Sequence, residues 1–307
     1  MCTRAPYSVA ISGVISSDIG YRDIFVAQEV VGQLACHLRQ MDTIVENHRT
    51  YGSAPYTVAV VHGGPGAAGE MAPVARALAH DRGIVEPLQT ATSLEGQVEE
   101  LRVTLTSYTA LPVVLIGFSW GAWLSYIVAA QYPALVRKLL LVASGPFDQR
   151  YVTQLQETRL QRLNAQDQTE WHAISRALRD PAAADKDALL ARLGVLAFMT
   201  DTYDPIVSVS EVAHTINPQG DIFQRVWATA AEWRRNGTLL ELGTSIQCPV
   251  VALHGDYDPH PAAGVQRPLS ALLKDFRFVL LQHCGHTPWW ERQARGSFYQ
   301  ALQRELA

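Results

Sequence analysis

The 307-residue chain has few cysteines: Cys2, Cys36, Cys248 and Cys284 are scattered along it, with no CxxC pair. That scarcity excludes a zinc ribbon and a disulfide scaffold, and it makes a reducing, cytoplasmic compartment the expectation. Basic residues are not in excess: 25 Lys and Arg stand against 29 Asp and Glu, a net charge of −4. No Lys/Arg cluster is present that could follow a phosphate backbone, so nucleic acid is not an expected partner. No apolar run reaches the roughly 18 residues of a spanning helix, so no membrane partner is expected. The weakly apolar run from Ser8 to Ser16 has no small-residue cleavage site after it and does not read as an export signal. HExxH and carboxylate–histidine clusters are missing too, so neither a metal nor another cofactor is expected. Internal repeats and low-complexity segments are likewise lacking.

What the chain does have is a soluble globular composition, 48% hydrophobic and 18% charged. Short β-rich runs recur: YTVAVVHG (56–63), PVVLIGFS (112–119), RKLLLVASG (137–145), CPVVALHG (248–255) and FRFVLLQHCG (276–285). Strands this continuously apolar suit a parallel sheet covered on both faces. Helix-like segments at 69–81, 93–108, 120–133 and 266–275 separate them. The alternation predicts an α/β fold with a doubly wound, mostly parallel sheet. TIVENHRTYG (43–52) reads as an early antiparallel strand, and residues 1–40 as extra strands, a helix at FVAQEVVGQLACHLRQ, or partly disordered chain.

The alternation stops between Phe147 and about Ser245, where three stretches carry 3.6-residue apolar periodicity and no good strand. We read residues 148–245 as a helical insertion and 41–147 with 246–307 as the sheet domain. An insertion leaving the carboxyl end of a strand lies over the crevice where such sheets bind ligands.

Gly117-Phe118-Ser119-Trp120-Gly121 joins an apolar strand to a helix, the pattern of a nucleophile elbow. The turn is so tight that its flanking positions must lack side chains, and Ser119 is held in a strained backbone geometry with its hydroxyl at the sheet edge. A serine hydroxyl is a weak nucleophile at neutral pH; it needs a histidine to take its proton and a carboxylate to orient that histidine. LHGDYDPH offers Asp256 and Asp258, and LQHCGHTPWWE offers His283 and His286, each after a predicted strand and in the order serine, acid, histidine. Asp258 lies beyond the Gly255 turn and is preferred over Asp256, which reads as a turn carboxylate; Asp148 is the outside candidate. His286 follows Gly285 in a loop, whereas His283, at the strand end, reads as a packed or hydrogen-bonded structural residue. Negative charge on the attacked carbonyl oxygen needs donors, and the Trp120 amide and the HGGPG loop (62–66) are placed to supply them, with His62 bracing the loop.

HGGPG followed by GFSWGAW resembles the α/β-hydrolase superfamily over about residues 45–305, and within it the proline iminopeptidase-type branch and its relatives. The resemblance implies Ser119 as nucleophile, Asp258 as acid, His286 as base, the Gly64 and Trp120 amides as oxyanion donors, a cis Gly64–Pro65 peptide and a helical cap. Relatives that open epoxides or remove halides carry Asp at the elbow, where this chain has Ser119. The acids of the insertion, Glu157, Glu170, Glu211 and Glu232, match no iminopeptidase motif for binding a free amino terminus. The expected activity is therefore hydrolysis of small or medium apolar carboxylic esters. Alternatives are release of an amino-terminal residue from a short peptide, and a silent binding fold. Phe118, Trp227 and Trp289 are the candidate substrate contacts, within an aromatic supply that also serves packing. Cys284, two residues before His286, raises the expectation of sensitivity to thiol reagents. Oligomeric state is not legible.

Overall fold

The computed structural model describes residues 47–211 and 217–307. The readings for residues 1–40 therefore lie outside the described residues. Seven strands form one sheet: β1 (His48–Tyr51), β2 (Tyr56–Val61), β4 (Gly83–Pro87), β5 (Val113–Phe118), β6 (Val136–Val142), β8 (Val250–Gly255) and β9 (Phe276–Leu281). Their spatial order is β1-β4-β2-β5-β6-β8-β9, and only β1 runs antiparallel, against β4. The remaining two, β3 (Ala67–Ala68) and β7 (Asn217–Pro218), pair with each other.

The apolar strands divide residue by residue between two cores. Ala59, Val61, Leu115, Leu139, Leu141 and Ala252 face one cluster, with helices Leu94–Tyr108 and Trp120–Gln131. Val58, Val60, Ile116, Leu140, Val142 and Leu253 face the other, with helices Ala72–Leu78 and Arg295–Leu306. Successive side chains of a strand point to opposite faces, so burial on both faces demands an unbroken apolar run. Helix Leu94–Tyr108 starts where Ser93 Oγ accepts the Gly96 amide, satisfying one otherwise orphaned donor.

Between β6 and β8 lie helices Val152–Gln161, Ala165–Ala177, Lys186–Asp201, Gly220–Arg235 and the short Thr238–Glu241. Leu163, Ile174, Leu178 and Leu196 give this segment a small core of its own. It is not wholly helical, because β7 interrupts it to pair with β3 directly after the HGGPG loop. A two-residue strand is too short for any periodicity to reveal. No helix among the described residues is long and apolar enough to cross a membrane.

Candidate active site

Three loops at the carboxyl ends of β5, β8 and β9 converge. At the first, Ser119 takes φ 53° and ψ −113°, a conformation costly for a residue with a Cβ. The glycines around it are required by space. A Cβ on Gly117 would stand 2.2 Å from the Gly121 carbonyl oxygen, and one on Gly121 would stand 2.4 Å from the carbonyl oxygens of Val61 and His62. The start of the elbow helix thus rests directly on the end of β2, bringing Ser119 beside the HGGPG loop.

His286 Nε2 lies 3.1 Å from Ser119 Oγ, and His286 Nδ1 lies 2.8 Å from Asp258 Oδ2. The structure therefore brings together the three residues that the order of motifs singled out. Asp256 instead accepts the Cys284 amide at 3.0 Å, joining the two loops, and Asp148 caps a short helical turn and pairs with Arg150. His283 departs from the packed residue expected: it is exposed, at φ 55°. The β9 strand ends two residues before it, so its side chain turns outward.

Asp258 is held more firmly than a single histidine could hold it. Its Oδ1 accepts both the backbone amide (2.9 Å) and Nδ1 (2.7 Å) of His260, and His254 Nε2 approaches Oδ2 at 3.7 Å. Burial alone would raise its pKa, but His286, His260 and His254 outweigh that and hold the carboxyl well below its ordinary range. For His286 burial disfavours the imidazolium, while the Asp258 charge and hydrogen bond, with Asp201, outweigh it and raise the pKa. His260 stacks on His286, ring centroids 4.4 Å apart, and burial lowers its pKa to about 4. Its place in HGDYDPH was visible in the sequence, yet nothing in the spacing tells that it shares the carboxylate.

Asp258, His260 and His286 cluster tightly enough to bracket an ion. Both Nδ1 atoms, however, are committed to the carboxylate, and rings stacked at 24° do not aim their in-plane lone pairs at one point. The donor set fits a hydrogen-bond relay better than a metal.

His62 Nδ1 donates to the Gly63 carbonyl (2.7 Å), while its Nε2 accepts the Gln89 amide (3.3 Å). Burial lowers its pKa to about 4, so the neutral ring keeps this tautomer. Because the Gly63–Gly64 peptide is planar, fixing the Gly63 carbonyl also fixes the Gly64 amide. Gly64–Pro65 is cis, and Gly64 has φ 106°.

Phe118 packs against His286 (5.0 Å between centroids) and meets Trp289 edge-on at 4.7 Å. Phe118 and Trp289 are each 1% exposed, so Trp289 backs Phe118 and neither ring offers a surface to substrate, which corrects the reading of both as contact residues. Trp227 stacks between Trp123 and Phe223, beneath Arg234. Trp120 is buried, its indole bonded to Gln97. Cys284 is also buried, and burial pushes its thiol upward, so the expected sensitivity to thiol reagents is withdrawn.

The inserted segment touches the loops that carry His286 and Asp258 and the HGGPG loop. The Asp201 carbonyl accepts the His286 amide at 2.7 Å, and the Asp201 side chain pairs with Arg159. Arg162 donates to the carbonyls of Thr200 and Tyr257, and the Gln219 amide donates to the Gly66 carbonyl. Glu291, fully buried, accepts the amides of Tyr203, Asp204 and Gly285.

The alpha/beta hydrolase fold family profile matches residues 93–293. The chain belongs to this family. Its fold is shared with an esterase from Thermogutta terrifontis (TM-score 0.57, 16% identity, 84% of this chain and 92% of that one). It is shared equally with the Cif epoxide hydrolase from Acinetobacter nosocomialis (TM-score 0.62, 16%, 85% and 85%). A proline iminopeptidase from Mycobacterium smegmatis is a third such structure (TM-score 0.57, 18%, 84% and 94%). No curated protein matches the sequence. At these identities the hydrolase fold is common to all, while the reaction differs from one to the next.

Proposed function

We propose that this protein is a serine hydrolase that cleaves small or medium carboxylic esters through an acyl-enzyme. The observation that carries the reading is the hydrogen-bonded line from Ser119 Oγ through His286 to Asp258. In this mechanism His286 Nε2 takes the Ser119 proton as Oγ bonds to the carbonyl carbon, with Asp258 stabilising the imidazolium. The Gly64 and Trp120 amides receive the charge on the carbonyl oxygen. As the carbon–oxygen bond to the alcohol breaks, His286 returns the proton to the leaving oxygen. Water then loses a proton to His286, attacks the acyl carbon and releases the acid, restoring Ser119. The inserted helices act as a cap over the site, and the buried Phe118 ring packs on His286 from below.

Labelling by a fluorophosphonate, abolished by Ser119→Ala, tests the nucleophile; a protein that never labels is a silent binding fold. The HGGPG loop and the iminopeptidase-like fold favour a second reading, release of an amino-terminal residue. Brisk cleavage of proline p-nitroanilide with no turnover of p-nitrophenyl esters would replace the ester reading with that one.

A further inference from the structure

Glu70, only partly buried, stands apart from the buried acids of the described residues. Glu86 is paired with Tyr51 and Arg49, Asp201 with Arg159, Glu291 with three amides, and Asp258 with its histidines. Glu70 is partly buried, yet no Lys or Arg among the described residues forms an ion pair with it. Its position is nonetheless fixed, because its amide donates to the Ala67 carbonyl (3.3 Å) immediately ahead of helix Ala72–Leu78.

The carboxylate lies against the oxyanion loop. A Cβ on Gly63 would stand 2.6 Å from Glu70 Oε2 and 2.9 Å from the Phe118 ring, and that ring packs on His286. Gly63 adjoins Gly64, so a group paired with Glu70 lies beside the carbonyl held at the Gly64 amide. Burial pushes the Glu70 carboxyl up to about 7, against the pull of His286 and the Gly63 amide. A half-buried carboxylate gains from a cation beside it, and among the described residues Glu70 has the Gly63 amide but no Lys or Arg in that place. We propose that Glu70 is a specificity-determining anchor for a protonated amine that the substrate carries beside its scissile carbonyl. The preferred substrates are then aminoacyl esters or amides with a free amine, not simple acyl esters. The inference rests on Ser119 as nucleophile and narrows the acyl group that it receives.

The test compares inhibition by 1-aminoethylboronic acid and by ethylboronic acid, which differ only in the amine, after fluorophosphonate labelling of the wild-type protein has been scored. The wild type should bind the amine-bearing compound about tenfold more tightly or better. Glu70→Gln, checked for a wild-type-like melting curve, should lose most of that ratio. A wild-type ratio near one overturns the proposal without any variant, and so does a high ratio kept by Glu70→Gln, since the amine would then act through boron alone. With labelling intact, either result leaves the serine-hydrolase reading standing. Absence of labelling and of binding by both compounds removes the two together.

Discussion

In the proposed mechanism Ser119 and His286 act as a unit, so their losses should not add. Ser119→Ala, His286→Ala and the double variant are each expected to lower kcat by about ten-thousand-fold or more, measured on the best p-nitrophenyl ester. If His283→Ala matched His286→Ala, the base would be misassigned. The raised pKa of His286 gives the pH profile a sign. A protonated imidazole cannot accept the serine proton, so kcat/KM should fall with acid at a midpoint above the ordinary histidine value of about 6.5. Asp258→Asn removes the partner that raises it; the midpoint should move down and kcat should collapse. Ser119, Asp258 and His286 were legible as candidates because each follows a strand end. His260, which shares the acid, and Glu70, which no Lys or Arg of the described residues pairs with, were not, because a carboxylate's company is a matter of distance across loops.

At the scale of elements, the elbow and the inserted helices carry the requirements. Gly121→Ala forces a Cβ into the backbone carbonyls of Val61, the last residue of β2, and of His62 just beyond it, and the first cannot move without disturbing the sheet. We expect a loss of more than about 2 kcal/mol in urea unfolding, with the fluorophosphonate rate falling as well. Glu291→Ala orphans three amides shared by the inserted segment and the His286 loop. Each orphaned amide costs about 1–3 kcal/mol, so the unfolding midpoint should drop, and kcat should fall further than in Glu291→Gln, which keeps an acceptor. The strands were read correctly wherever both faces are apolar. GIVEP (83–87) escaped because Glu86 and Pro87 break the run, and only the fold shows Glu86 buried against Tyr51 Oη at 2.6 Å. The pairing of Arg159 with Asp201 spans 42 residues and that of Glu291 with Tyr203 spans 88, separations at which sequence pattern carries no signal.

For the whole molecule, two buried neutral histidines among the described residues weaken the fold in acid. Burial lowers the pKa of both His62 and His260 to about 4, whereas in the unfolded chain each titrates near 6.5. Between these values the unfolded state binds more protons, so stability is full above about 6.5 and declines as pH falls toward about 4. The slope should approach about 1.4 kcal/mol per pH unit for each histidine, and His62→Asn, in denaturant titrations across that range, should remove its share. His286, with its pKa raised, has the opposite sign above that window, stabilising at lower pH and less so as pH rises through its folded value. The hydrogen bond from the His286 amide to the Asp201 carbonyl also makes the proposed general base an observer of the inserted helices. Were those helices to swing away for substrate to enter, that amide would meet water at each opening. Its exchange with deuterium would then time the opening directly, in the same residue whose ring carries the proton.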